Sequence, residues 1–216
     1  MVDLRPQQTQ DGNNDITLGL LGAIQQDNGV TQRSLARDLG IALGLANTYL
    51  KRCVNKGLVK VSEIPSRRYA YYLTPHGFRE KSKLTAEYLS QSFLFFRLAR
   101  SQCSELFAEC AERGWRHVVL VGASDLGEIA TLCAGEHGVV VTAFVETGAN
   151  CATFAGIPVL PDLAIVAEAD AVIITELRDP QAAYDALLRI KPRGRVLHPS
   201  ILRIADGSDD TEGSAP

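Results

Sequence analysis

Two groups of residues in this 216-residue chain carry recognisable chemistry. The first is a set of polar and cationic side chains: Gln32 and Arg33, then Asn47, Thr48, Lys51 and Arg52 beside Leu43 and Gly44, then Arg67 and Arg68. Guanidinium and ammonium groups hold phosphates, an asparagine can pair bidentately with adenine, and a threonine hydroxyl can meet a base or a phosphate. The second group is Gly122-x-Ser124-x-x-Gly127 with Glu146 placed 24 residues after Gly122. A glycine-rich turn between strand and helix presents backbone N–H groups to phosphates, and an acid further on meets a ribose hydroxyl. Ser124 stands where the middle glycine of that pattern belongs, so it offers a phosphate a hydroxyl. Asp125 is expected to cap the following helix.

Other chemistries lack their residues. Cys53, Cys103, Cys110, Cys133 and Cys151 include no C-x-x-C pair, and no histidine lies at metal-ligand spacing from them. They are expected to be reduced thiols filling apolar space. No nucleophile elbow or Y-x-x-x-K pair follows the second group, so the chain reads as a non-enzyme without a metal.

The elements that must position these residues follow from periodicity. Asp15 is expected to cap a helix through Ile16, Leu20, Leu21 and Ile24 that stops near Asn28-Gly29. Thr31 starts a short helix with Leu35, Ala36 and Leu39 inward, and Gly40 closes it. A third helix runs from Ala42 to about Lys56, with Leu45 or Ala46, Tyr49, Leu50 and Cys53 inward, and ends at Gly57. Two strand-like runs, GLVKVSEI and RRYAYYL, flank Pro65-Ser66-Arg67. Three helices and a hairpin with a basic tip, in this order, describe a winged helix-turn-helix. Thr74 and Pro75 then open a helix reaching about Arg113, on which Leu89, Phe96, Cys103 and Cys110 recur every seven residues, interleaved with Ser92, Ala99 and Leu106. That imperfect seam points to a homodimer. Beyond it, HVVLV, VVVTAFV, GIPVL, AVIIT and RVLHP alternate with helical stretches, as in a small doubly wound parallel sheet.

Charge divides the chain at the same place. Residues 31–100 carry 13 Lys+Arg against 4 Asp+Glu, and residues 101–216 carry 8 against 17. A basic module joined to an acidic one implies a polyanion binder coupled to a second activity. With 46% hydrophobic and 22% charged residues the bulk of the chain can bury a core, which excludes collagen-like, disulfide-scaffold and wholly disordered classes. No apolar run is long enough to span a bilayer and the polar start is not a signal peptide, so the expected location is the cytoplasm.

Residues 31–80 resemble the DNA-binding domain of MarR-type regulators, including a MarR-like subgroup associated with exopolysaccharide gene clusters. TQRSLARDLGIALGLANTYLKRCVNKGLV, the hairpin and YYLTPHG carry the resemblance. It implies that Leu43, Gly44, Asn47, Thr48, Lys51 and Arg52 face the major groove of double-stranded DNA. It also implies that Arg67 and Arg68 reach the minor groove from the hairpin tip. Gln32 and Arg33 are phosphate candidates at a helix start. The third helix opens Ala-Leu-Gly where related proteins often carry Ser, Arg or Thr, which shifts weight to Leu43 on thymine methyls or to indirect readout.

Residues 118–200 resemble the N-terminal sugar-nucleotide-binding domain of bacterial sugar O- and N-acetyltransferases, through VVLVGASDLGEIA, GIPVLPDL and VLHPS. The resemblance overlaps with CoA-binding and redox-sensing Rossmann domains. It implies a nucleotide sugar, or another nucleotide, at Gly122, Ser124, Gly127 and Glu146. In that family the HPS stretch leads into a catalytic β-helix, which is expected to be absent here because the sequence ends soon after His198-Pro199-Ser200.

The expected fold class is α/β plus α+β. A disordered start (1–14) precedes a winged helix (15–74), a connecting and dimerising helix (75–114), a Rossmann-like domain (115–204) and a disordered acidic tail (205–216). The expected function is a dimeric DNA-binding transcriptional regulator whose α/β domain senses a small nucleotide-containing effector. The alternatives are an α/β domain that only docks or dimerises, and a nucleotide-dependent enzyme.

Overall fold

The computed structural model describes residues 7–64, 68–149 and 151–205. They fall into two compact units, 1–93 and 94–216. The first holds α1 (Gln7–Gln26), α2 (Gln32–Asp38), α3 (Leu43–Asn55), the hairpin β1 (Val59–Ile64) and β2 (Arg68–Leu73), and the first half of α4 (Pro75–Glu112). Leu20, Leu21 and Ile24 of α1 meet Leu35 of α2, Tyr49, Leu50 and Cys53 of α3 and Tyr71 of β2 in one core. The choice between Leu45 and Ala46 falls on Ala46, which is fully buried while Leu45 is exposed.

One boundary differs from expectation. Asp15 does not cap α1, because the helix begins eight residues earlier, at Gln7. Residues 7–14, expected to be disordered, therefore lie in a helix, while residues 1–6 and the tail from 206 lie outside the described residues. The physical reason is cooperativity. Leu20, Leu21 and Ile24 anchor the helix, and each residue added to a nucleated helix brings one more hydrogen bond. Tyr49 of α3 also donates its hydroxyl to the Asn13 side chain, tying the added turn to the core.

Local signals place the other elements. Thr31 and Ser34 form a reciprocal capping box at the start of α2, with side chain to N–H distances of 3.0 and 2.9 Å. The hairpin pairs antiparallel from Val59↔Leu73 to Ile64↔Arg68. At the start of α4 the Thr74 hydroxyl accepts from the Gly77 N–H at 3.0 Å and donates to the Gly57 carbonyl at 2.6 Å. Gly77 is required there, since a Cβ would lie 2.1 Å from the Leu58 carbonyl oxygen.

The second unit holds the rest of α4 and β3 (His117–Val121), α5 (Asp125–Glu136), β4 (Val140–Val145), β5 (Thr153–Phe154), β6 (Ile157–Leu160), α6 (Ala164–Glu168), β7 (Ala171–Ile174), α7 (Pro180–Leu187) and β8 (Val196–Leu197). The sheet order is β5-β6-β4-β3-β7-β8. All pairings are parallel except β5 with β6, so a short antiparallel edge strand joins the five strands expected. Alternate residues serve opposite faces. Val118 and Leu120 of β3 pack with α4 and α5, whereas Val119 and Val121 pack with α6 and α7.

The seam on α4 is divided by this packing. Ala99, Cys103, Phe107 and Cys110 are fully buried against Val118, Ile129 and Cys133 of the α/β unit, so they are not available to a second chain. Heptad spacing records only that a face is apolar, and this stretch of it is covered from within. Burial pushes the Cys103 and Cys110 thiols up to about 12, as expected of thiols used as apolar filler. Tyr88, Leu89, Phe93, Leu94 and Phe96 stay exposed.

Candidate nucleic-acid interface

Burial of Ala46, Tyr49, Leu50 and Cys53 turns the other side of α3 outward. Leu43 is 48% exposed, and Gly44, Thr48, Lys51 and Arg52 are exposed as well. Lys51 and Arg52 make no hydrogen bond or ion pair among the described residues, so both cations are free to meet phosphates. Thr48 donates its hydroxyl to the Gly44 carbonyl one turn back at 2.9 Å, which leaves the oxygen as an acceptor. Asn47 departs from the expected outward placement. It is half-buried, and its Oδ1 is covered without a partner. A bidentate pair with adenine needs that oxygen in the open, so Asn47 as placed does not offer one.

Gln32 and Arg33 of α2 are exposed beside this face. They line an open groove of about 550 Å³ together with Val30, Leu43, Tyr69 and Tyr71. Tyr69 is the residue that sequence reasoning missed. It stands opposite Glu63 on the hairpin and is 57% exposed. Strand alternation was the available signal, because Tyr69 shares a face with Tyr71, which enters the core. Arg67 lies outside the described residues, and of Arg68 only the backbone is described, at the start of β2.

The second predicted group is brought together at the carboxyl end of the sheet. Order β6-β4-β3-β7-β8 reverses direction between β3 and β7, and the Gly122–Gly127 turn lies just past β3. Its polar groups face one another. The Glu146 carboxylate accepts from the Ala123 N–H at 3.0 Å. The Ser124 hydroxyl donates to the Thr175 carbonyl at 2.6 Å and accepts from the Gly127 N–H at 3.3 Å. The Thr175 hydroxyl in turn lies 2.6 Å from the Gly122 carbonyl. Ser124, not Asp125, is the N-cap of α5, because its side chain is the one that reaches the third helical N–H.

Gly122 has φ +105°, and a Cβ on it would lie 2.4 Å from the Glu176 backbone nitrogen. The glycine thus serves a close backbone crossing inside the protein. Glu146 takes one N–H of the turn, that of Ala123, so a pyrophosphate that used this donor would meet a carboxylate of its own sign. Asp170, at the opposite end of the sheet, accepts from the N–H groups of His117 and Arg116 at 2.9 Å each, and these bonds hold its carboxyl below the usual range.

Residues 13–60 match the winged helix-turn-helix DNA-binding family. The N-terminal unit thus contains a winged helix-turn-helix fold. No curated protein matches the chain. Among solved structures, part of the chain is similar to the PcaV transcriptional regulator from Streptomyces coelicolor in complex with its natural ligand (19% identity, TM-score 0.36, 45% of this chain and 83% of that one). A second PcaV structure aligns over 38% of this chain and 62% of its own, at 21% identity and TM-score 0.35. MepR, a transcription regulator of the Staphylococcus aureus multidrug efflux pump MepA, aligns at 27% identity and TM-score 0.32 over 38% of this chain and 62% of its own. The chain thus spans less than two thirds of these last two. PigF with SAH aligns over 88% of this chain and 73% of its own, at 13% identity and TM-score 0.34. Among the described residues no helix is long and apolar enough to cross a membrane, and no cluster of His, Cys, Asp or Glu could hold a metal ion.

Proposed function

We propose that the chain is a transcriptional regulator that binds double-stranded DNA through α3, α2 and the hairpin, and acts as a homodimer. The observation that carries this reading is the outward face of α3 within the winged-helix match, where Lys51 and Arg52 stand exposed without partners among the described residues. Gln32 and Arg33 add phosphate contacts, and Leu43 meets the groove floor through an apolar contact. Homodimerisation is supported by the exposed aromatic and aliphatic run from Tyr88 to Phe96 on α4 and by the paired half-sites that winged helices commonly read. Cytoplasmic location follows from the same reading.

In this reading the α/β unit responds to a small effector and catalyses nothing. A nucleotide sugar at Gly122–Gly127 is what the sequence resemblance implies, and one that used the Ala123 N–H requires Glu146 to leave the turn. The bond from the Ala123 N–H to Glu146 favours a second reading, in which this turn is structural and the unit docks or takes its effector elsewhere. Fluorescence anisotropy of a labelled duplex, titrated at several salt concentrations, tests the DNA reading. Affinity should fall steeply and linearly in log–log form, since each phosphate contact releases counterions. Salt-independent or undetectable binding would overturn it.

A further inference from the structure

A groove of about 450 Å³ lies within the second unit, between the outer face of α4 and the carboxyl end of α5. Arg97, Arg100, Ser104, Glu105 and Ala108 recur at helical spacing on α4, so one face of that helix forms a wall. Glu136 and His137 form the other. Several bonds here have a structural purpose. Arg100 binds Glu136 at 2.7 Å and fastens the two helices together, and His137 is the C-cap residue of α5. Ser101 donates to Glu105 along the helix at 3.2 Å.

Two features remain after that accounting. Arg97 lines the groove and makes no hydrogen bond or ion pair among the described residues. Ser104 Oγ lies 2.8 Å from His137 Nε2, both half-buried on the groove wall. When the imidazole carries its hydrogen on Nε2, the serine accepts that hydrogen and its own O–H is free to turn into the groove. Arg97, the N–H groups of Arg100 not used on Glu136 and the Ser104 hydroxyl then form a set of donors suited to an oxyanion, and the imidazole fixes the direction of that hydroxyl. Glu105 and Glu136 keep spare lone pairs at the rim, which suit hydroxyl donors and repel a second anionic group.

We propose that this groove is an effector site for a small phosphorylated sugar or polyol, with Arg97, Arg100 and Ser104 on the phosphate, His137 orienting the Ser104 hydroxyl, and Glu105 and Glu136 on hydroxyls. The proposal rests on the reading of the α/β unit as effector-responsive, and it locates the effector away from the Gly122–Gly127 turn. The two arginines are offset by Glu105 and Glu136, so a single phosphate monoester suits the groove better than a more highly charged group. A pyrophosphate would bring further negative charge against the two carboxylates.

Calorimetry on the full chain with glucose 1-phosphate, inorganic phosphate and glucose as probes tests it, with DNA affinity measured on the same samples. Glucose 1-phosphate should bind saturably and at least tenfold more tightly than either fragment. Arg97→Gln and Ser104→Ala should each weaken it about tenfold, and both sit on exposed or half-exposed helix positions where the fold tolerates change. Glu105→Gln should weaken glucose 1-phosphate while leaving inorganic phosphate unchanged or tighter. Absence of saturable binding, or equal binding by wild type and Arg97→Gln, overturns the site. If DNA binding persists in that case, only the effector site falls. Loss of DNA binding in the unmodified chain overturns the regulator reading instead.

Discussion

The outer face of α3 and the Gly122–Gly127 turn both looked like anion sites, and they differ in what their polar groups touch. On α3 the cations Lys51 and Arg52 have no partner among the described residues. At the turn, Ala123, Ser124, Gly127, Glu146 and Thr175 satisfy one another through bonds of 2.6–3.3 Å. A polar group that is bonded internally contributes to folding and loses its capacity for a ligand. One that stands in solvent contributes little to stability and keeps its capacity for a partner. Residue type and spacing are the same signal in both cases, and the partners alone separate them.

The largest test of this contrast is Gly122→Val. A side chain there meets the Glu176 backbone and forces a β-branched residue to a φ of +105°. We expect a loss of about 3 kcal/mol or more in urea unfolding of the α/β unit. A change below about 1 kcal/mol would mean that the turn is not a structural crossing.

Lys51→Ala with Arg52→Ala should do the opposite. Stability should stay within about 0.5 kcal/mol, while the slope of log affinity against log salt falls by about 2. An unchanged slope would remove both residues from the interface. Phe96→Glu divides α4 in the same spirit, since Phe96 is exposed while Cys103 and Phe107 on the next turns are buried. Light scattering should show a shift toward monomer with the unfolding midpoint retained. A dimer of unchanged strength would move the interface off this part of the helix.

Glu146→Gln is the smallest of the four. Replacing a charged acceptor on the Ala123 N–H by a neutral one should cost about 1 kcal/mol. It also removes the negative charge from the turn. Calorimetry with a nucleotide sugar should therefore show tighter binding by the variant than by the wild type. Tight binding by the wild type that the variant loses would restore the ribose role for Glu146.

Much of the winged helix was legible because its signals are local. Thr31 at the start of α2, the turns at Gly40 and Gly57, and Thr74-Pro75 before α4 stand where the sequence reading put them. The start of α1 was not legible, because the Tyr49 contact that holds its added turn comes from 36 residues away. The half-burial of Asn47 and the exposure of Tyr69 were also hidden, since each depends on how a neighbouring element covers it.

By itself the sequence determined the order of the elements other than β5, the basic and acidic halves, and the apolar face of most helices and strands. These depend on side-chain chemistry and a period of two or 3.6 residues, both of which are present in the one-dimensional pattern. Tertiary structure alone decided which apolar face is covered from within, and hence that Cys103 and Cys110 belong to the α/β core. It also decided that Glu146 closes the glycine turn. The carboxylate and the N–H it accepts from are 23 residues apart and meet only because β4 pairs beside β3. A pattern along the chain states what a residue can bind, whereas the folded neighbours state whether that capacity is already taken.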